Sequence, residues 1–507
     1  MKYKNPILSG CYPDPSVCRA GDDFYLVNST FEFFPGVPVW HSRNLVDWEL
    51  IGHCISRKEQ LCLNTGSQNN TGIFAPTIRF HDGTFYMITT NVGEGRDIGN
   101  FYVWTKDPAG EWSDPIFLET PGIDPSLFFD DDGRAWYTGT ADAGIYIQEI
   151  DLKEGKLLGQ PVSLWKGTGG AYPEGPHIYK KDGWYYLLIS EGGTERCHML
   201  TMARSRNLTG GYEVCPYNPV LTNRSLPLPI QSVGHADLVQ APDGSWWAVC
   251  LGTRTFSYPP RHNLGRETML APVDFSGEWP VFGANGCLTE TFEGPSFAGP
   301  FENAGTELFR DDFAEPELKP EWNLIYTPET VFWKTGEGGL RLLGNEKRLC
   351  DAERTAWVGR RQRHHDFESE VKLTFDCSQE GEEAGLAIFM NHRHHYEAAL
   401  IQEAGRRKLI LRRQIGSLWK VEKEIDYSGR TVWLRLTGSK ERYEFQYRSG
   451  QEQDWMTLGG GETIYLTTEG GGHFTGNYIA LYSMGNGTPC RTQATFESFL
   501  YRGGENK

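Results

Sequence analysis

The sequence predicts an all-β chain, a five-bladed β-propeller followed by a β-sandwich. Small acidic turns recur at Asp22-Asp23, Asp82-Gly83, Asp132-Gly133, Asp182-Gly183 and Asp243-Gly244, with first aspartates 60, 50, 50 and 61 residues apart. An apolar, mostly aromatic run follows each turn: Phe24-Tyr25-Leu26, Phe85-Tyr86-Met87, Trp136-Tyr137, Trp184-Tyr185-Tyr186 and Trp246-Trp247-Ala248. Several short strands per unit, repeating at this period, is the pattern of propeller blades. The sandwich is predicted by a change to longer alternating strands in the last 200 or so residues.

Within the repeats, strand candidates such as Phe24–Asn28, Phe85–Thr90 and Tyr185–Ile189 are short, aromatic or β-branched, and bounded by turn residues. No segment keeps a 3.6-residue apolar period, so few helices are expected. Stepping back eight residues from each turn reaches Asp14, Phe74, Asp124, Glu174 and His235. Equivalent positions of a propeller face one another around its axis, so three carboxylates and an imidazole are expected to converge on one funnel. The repeats occupy residues 1–290. Residues 291–306 form a linker, part of a Gly-, Pro- and Glu-rich stretch that includes Glu293-Gly294-Pro295 and Ala298-Gly299-Pro300. In the sandwich, at 307–507, Val371, Leu373 and Phe375 are expected on one buried face, as are Val432, Leu434 and Leu436, and Tyr443, Phe445 and Tyr447.

Composition narrows the function. With 507 residues and 39% hydrophobic content, the chain can bury two substantial cores. Its net charge of −17 argues against a nucleic-acid partner, and no apolar run reaches the length of a membrane span. Met1 to Leu8 lack the apolar stretch of a secretory signal, and eleven cysteines lie scattered without metal-type pairs. Reduced thiols and a cytoplasmic location are therefore expected. The abundance of 16 Trp and 23 Tyr suits sugar stacking and blade packing equally.

Glycoside hydrolysis needs an acid to protonate the leaving oxygen and a base or nucleophile on the other face of the sugar. Asp14, Asp124 and Glu174 stand at one register of the repeat, each followed by Pro or Gly, and a rigid, extended entry into the innermost strand is expected there. A single Asp-Pro pair would read as a turn cap. Three acids in register, with His235 on the fifth repeat, read as a catalytic funnel.

The motifs Cys11-Tyr12-Pro13-Asp14-Pro15-Ser16-Val17, Gly122-Ile123-Asp124-Pro125-Ser126-Leu127-Phe128 and Tyr172-Pro173-Glu174-Gly175-Pro176-His177-Ile178 resemble the three acid motifs of glycoside hydrolase family 43. The resemblance extends through Ser29-Thr30-Phe31-Glu32-Phe33-Phe34-Pro35-Gly36, Val233-Gly234-His235-Ala236-Asp237, Leu264-Gly265-Arg266-Glu267-Thr268 and Phe474-Thr475-Gly476. It is greatest to the branch of β-xylosidases and α-L-arabinofuranosidases with a C-terminal, concanavalin-like β-sandwich. It implies an exo-acting, inverting hydrolase that takes xylo- or arabinoxylo-oligosaccharides. By the same resemblance Asp14 is the general base and Glu174 the general acid, and Asp124 orients Glu174 and keeps its pKa high. Arg266 binds sugar hydroxyls and offsets part of the acidic charge, and Phe31 and Phe74 wall the sugar site. Many relatives carry Trp where Phe74 stands, which leaves xylose or arabinose preference open. Phe474 is expected at the rim of the site, against the leaving-group sugar. His235 is expected at the funnel floor, holding a water or a Ca²⁺ ion; no cofactor is otherwise implied, and homo-oligomerisation stays open.

Three rival readings accompany this one. The chain could be predominantly an α-L-arabinofuranosidase. It could be a non-catalytic carbohydrate-binding propeller, although binding alone needs no cluster of like charges. A retaining, invertase-type propeller would show a Trp-Met-Asn-Asp-Pro-like first motif, which is not found. His364-His365 and His392 to His395 suggest metal ligands, but a solvated face is the expectation for both.

Overall fold

The computed structural model describes residues 1–63, 70–142, 144–297, 299, 301, 305–472 and 474–504. Ala298, Pro300 and 302–304 of the expected linker, and His473 beside Phe474, lie outside the described residues. The chain divides into two compact units: Met1–Asn64, Thr71–Thr255 and Arg266–Asn303 form the first, and Thr65–Asn70, Phe256–Gly265 and Ala304–Lys507 the second. Strands dominate both. Among the described residues the helical segments are the single turns Gly193–Cys197, Thr463–Leu466 and Thr468–Gly471.

Five antiparallel sheets of four or five strands build the first unit. Their innermost strands are Ser16–Ala20, Thr77–His81, Ile123–Phe129, Glu174–Lys181 and Ile230–Gln240. Each innermost strand contacts the next, and the fifth contacts the first, so the cycle closes as in a propeller. The acidic turns join innermost strand to second strand, pairing His81 with Thr84 and Lys181 with Trp184. Asp82 and Gly83 have φ of 47° and 74°, and Asp182 and Gly183 have 52° and 72°. Two consecutive left-handed residues make the tight hairpin turn that suits strand twist, which is why Asp-Gly stands there. In the first sheet Ala20 pairs with Asp23, so the turn is Gly21-Asp22 and lies one residue earlier than expected.

An early segment of the chain closes the cycle. Lys2–Lys4 pairs antiparallel with Thr291–Glu293. Asn5 donates from Nδ2 to Leu270 O at 3.0 Å and accepts from Leu270 N at 2.8 Å, while Tyr12 N donates to Arg266 O at 3.1 Å. Tyr3, Ile7, Leu8 and Tyr12 are buried in one cluster with Val249 and Leu270 of the fifth sheet. Each such side chain contributes roughly 1.5–3 kcal/mol on burial.

In the second unit, a large antiparallel sheet and a six-stranded sheet form the sandwich. Phe367–Thr374, Thr431–Gly438 and Arg442–Arg448 alternate buried and part-exposed residues along their length. Val371, Leu373, Phe375, Val432, Leu434, Leu436, Tyr443, Phe445 and Tyr447 are all buried, as the alternation predicts. The histidine clusters correct the expectation of a solvated face: His364, His365, His392 and His395 are buried. His364 Nδ1 lies 3.0 Å from Tyr501 OH, and His392 Nδ1 lies 2.9 Å from Leu349 O, so these rings serve packing and internal hydrogen bonding.

Candidate active site

Backbone geometry aims the acids. Asp14, Asp124 and His235 have φ of 51°, 54° and 45°, and Gly175, next to Glu174, has 59°. Strand register shifts between Ile123 and Ser126, between Glu174 and His177, and around Gly234. The expected extended entry is therefore corrected to a left-handed kink with β-bulges, a device that turns a side chain away from the sheet. Asp tolerates this conformation better than most residues. A Cβ on Gly175 would stand 3.0 Å from His235 Cε1, tighter than ordinary contact, so the close approach to the imidazole and the positive φ both favour glycine there.

Asp14 is buried and accepts from Ser29 Oγ at 2.6 Å and from Arg266 at 2.8 Å, with His235 Nδ1 3.9 Å away. Burial opposes its charge, but Arg266, His235 and the Ser29 hydroxyl together hold its carboxyl below the ordinary carboxylate range. Arg266 also donates to Thr194 Oγ1 at 3.1 Å. It lies 5.5 Å from the Phe31 ring centroid, and Phe31 meets Phe74 edge-on at 5.5 Å.

Asp124 and Glu174 titrate in the opposite direction. Burial pushes both up to about 7; His235 opposes this, and neighbouring carboxylates add to it. Asp124 Oδ2 accepts the Gly175 amide at 3.2 Å, which ties it to the backbone beside Glu174. The Glu174 carboxyl meets His198, whose Nε2 lies 3.2 Å from Oε1. His198 is fully buried, and burial lowers its pKa to about 4, which keeps the ring neutral beside the acid. The structure thus brings Asp14, Asp124, Glu174, His235, Arg266, Phe31 and Phe74 together in the first unit. Phe474 belongs to the second unit, where it is partly buried and its amide donates to Asn70 Oδ1 at 2.7 Å.

Calcium takes roughly six to eight oxygen ligands. His235 Nδ1 stands 3.9 Å from the Asp14 carboxylate, whose oxygens already accept from Arg266 and Ser29. Among the described residues no group of three or more His, Cys, Asp or Glu is arranged to hold a metal ion. These side chains do not make a calcium cage.

One layer along the same strands lies a network that sequence reasoning missed. Arg79 donates to Asp237 at 2.7 and 3.1 Å, to Leu127 O at 3.2 Å and to His177 Nδ1 at 2.9 Å. Asp237 also accepts from Ser16 at 2.5 Å and from Tyr179 OH at 2.6 Å. Residues from all five innermost strands meet here. A signal existed: Ser16, Asp237 and Ser126, whose Oγ lies 3.0 Å from His177 Nδ1, each follow a site residue by two positions. His198 had no such signal, since it lies off the repeat register.

Residues 3–280 match the family "Glycosyl hydrolases family 43", and 310–502 match "Beta xylosidase C-terminal Concanavalin A-like domain". The chain is 40% identical to a non-reducing end alpha-L-arabinofuranosidase of Bacteroides ovatus, over 99% of this chain and 94% of that one. It is 39% identical to a xylosidase/arabinosidase of Butyrivibrio fibrisolvens, over 95% and 96%. A solved structure described as "Bacteroides ovatus Xyloglucan PUL GH43B" superposes with a TM-score of 0.93 at 38% identity, covering 99% of this chain and all of that one. With both parts of the chain matched and its carboxylates gathered in the propeller, the protein belongs to glycosyl hydrolases family 43.

Proposed function

We propose that this glycosidase is exo-acting and removes single terminal pentoses, β-1,4-linked xylose or α-L-arabinofuranose, from xylan-derived oligosaccharides with inversion. The observation that carries the mechanism is the contrast in surroundings: Asp14 accepts from Arg266 at 2.8 Å, whereas Glu174 is met by the buried His198 at 3.2 Å. Arg266 and His235 keep Asp14 charged, while burial keeps a proton on the Asp124–Glu174 pair. Two carboxyl groups with separated pKa values are what a base and an acid require. Asp14 takes a proton from water, the oxygen attacks the anomeric carbon, and Glu174 protonates the departing glycosidic oxygen. Asp14 ends protonated and Glu174 ionised, and exchange with solvent resets both. Arg266, Phe31 and Phe74 hold the sugar. A calcium ion beside His235 would depend on water for its ligands, and no step uses it. The five sheets and their closed cycle support five blades over 1–290, joined through 291–306 to the sandwich at 307–507.

The pentose reading draws on what the relatives are called, and the 40% identical arabinofuranosidase favours arabinose as a second reading. One experiment tests both. Turnover of 4-nitrophenyl β-D-xyloside and of the α-L-arabinofuranoside is followed by proton NMR. Early product should carry the inverted anomeric configuration, and the faster substrate identifies the preferred sugar. Retained configuration overturns the single displacement.

The pH profile of kcat/KM should be a bell. Its acid limb reports Asp14, below the ordinary carboxylate range, and its alkaline limb reports the Asp124–Glu174 pair. Glu174 raises the pKa of Asp124, and the repulsion is reciprocal. Asp124→Asn should therefore move the alkaline limb to lower pH. An unmoved or raised limb removes Asp124 from that role.

A further inference from the structure

The second unit contains a cavity of about 90 Å³, lined by Arg348, His395, Glu397, Arg412, Gln414 and Trp419 among others. That is several times the space one water needs. The six-stranded sheet supplies its floor, with Glu397 paired to Arg412 and Gln414 paired to Trp419 across neighbouring strands.

The polar groups here are unevenly satisfied. Arg412 donates to Glu383 at 2.6 Å and also bonds Glu397 through Nε. Glu383 additionally accepts from Tyr482 OH at 2.7 Å and Asn486 Nδ2 at 3.1 Å. Glu397 is 1% exposed, yet its Oε2 has no hydrogen-bond partner among the described residues. A buried acceptor left unmade destabilises a fold unless something donates to it. A second acceptor stands nearby. His395 Nδ1 lies 3.1 Å from the Asn391 carbonyl, which can only accept, so Nδ1 carries the proton and Nε2 presents a lone pair.

At the same cavity Trp419 is 64% exposed, a large flat ring left in solvent. The guanidiniums of Arg348 and Arg412 disfavour a cation in this space, and the Glu397 carboxylate disfavours an anion. A neutral ligand rich in hydroxyl donors, with an apolar face for the indole, satisfies every term. We propose that the sandwich unit carries a second, non-catalytic saccharide-binding pocket, in which sugar hydroxyls donate to Glu397 and His395 and a ring face lies on Trp419. The pocket shares no residue with the propeller site and does not depend on the catalytic reading.

The test uses the full chain carrying Asp14→Asn, so that ligand is not consumed, titrated calorimetrically with xylotriose, arabinotriose and cellotriose. At least one probe should show a binding step that Trp419→Ala abolishes or weakens by about tenfold or more. Glu397→Gln should weaken the same step. In the parent chain, Trp419→Ala should leave kcat/KM on the 4-nitrophenyl glycosides unchanged. Because Trp419 is exposed, its truncation keeps the test decisive even where Glu397→Gln impairs folding. If no step with any of the three probes depends on Trp419, the proposal is overturned.

Discussion

Glu174→Ala should slow hydrolysis of xylobiose by on the order of 10²–10⁴-fold, while an aryl xyloside with a strongly acidic leaving group loses far less. A good leaving group departs without a proton, so it does not need the acid. Asp14→Ala should instead slow both substrates alike, because water must be activated whatever leaves. The contrast follows from the charges at the site, where Arg266 keeps Asp14 ionised and burial keeps the Glu174 side protonated. Steady-state rates on the two substrates decide it. Equal losses for Glu174→Ala on both would remove it as the acid.

The second large effect concerns stability. Arg79→Met strips Asp237 of its guanidinium and leaves a fully buried carboxyl with Ser16 and Tyr179 as its hydroxyl donors. Breaking such a pair from one side costs about 3–5 kcal/mol. The pH dependence has a definite sign. Burial disfavours the Asp237 charge, yet Arg79 and its other neighbours hold that carboxyl well below the ordinary range. In the parent this contribution is present above the unfolded carboxylate pKa, and it fades as pH falls towards the folded value. In Arg79→Met burial acts without the guanidinium, the folded pKa rises, and stability is lost as pH increases. Urea unfolding should therefore separate parent and variant widely at pH 7 and less at pH 4.5. A constant gap would show that the pair does not set the difference, and Arg79→Met/Asp237→Leu should recover part of the loss at pH 7.

Where local rules governed, residues announced their structure. Asp82-Gly83 and Asp182-Gly183 mark hairpins because tight turns with two positive φ values suit Asp-Gly, and counting back eight residues from the turns at Asp22, Asp132 and Asp182 reaches the acids. Val371 to Leu436 alternate because one face of each strand is buried. Elsewhere tertiary context decided. The proline after Asp14 and Asp124 suggested extended backbone, but both stand in the left-handed region, at Asp124 within a bulge. His198 reaches Glu174 from between the turn Gly193–Cys197 and the strand Met199–Ser205, off the repeat register, so no spacing foretells it. Arg79 likewise reads as a surface cation until five strands gather around it. The histidines of the sandwich look soluble by type, yet tyrosine and carbonyl partners make their burial tolerable.

The seam that closes the propeller has a consequence for how activity arises during synthesis. Tyr12, two residues before Asp14, bonds Arg266, so Asp14 and the arginine meet only when segments some 250 positions apart are joined. Contacts of such separation form late. At about 5–20 residues per second, on the order of 10–50 s pass between translation of Tyr12 and of Arg266. During that interval Tyr3, Ile7 and Leu8 have no fifth sheet to cover them, and aggregation or chaperone capture competes with folding. Asp14 cannot gain its guanidinium before this join is made. Hydrolytic competence is therefore acquired in one late event, and a nascent chain passes from inert to active as the ring shuts.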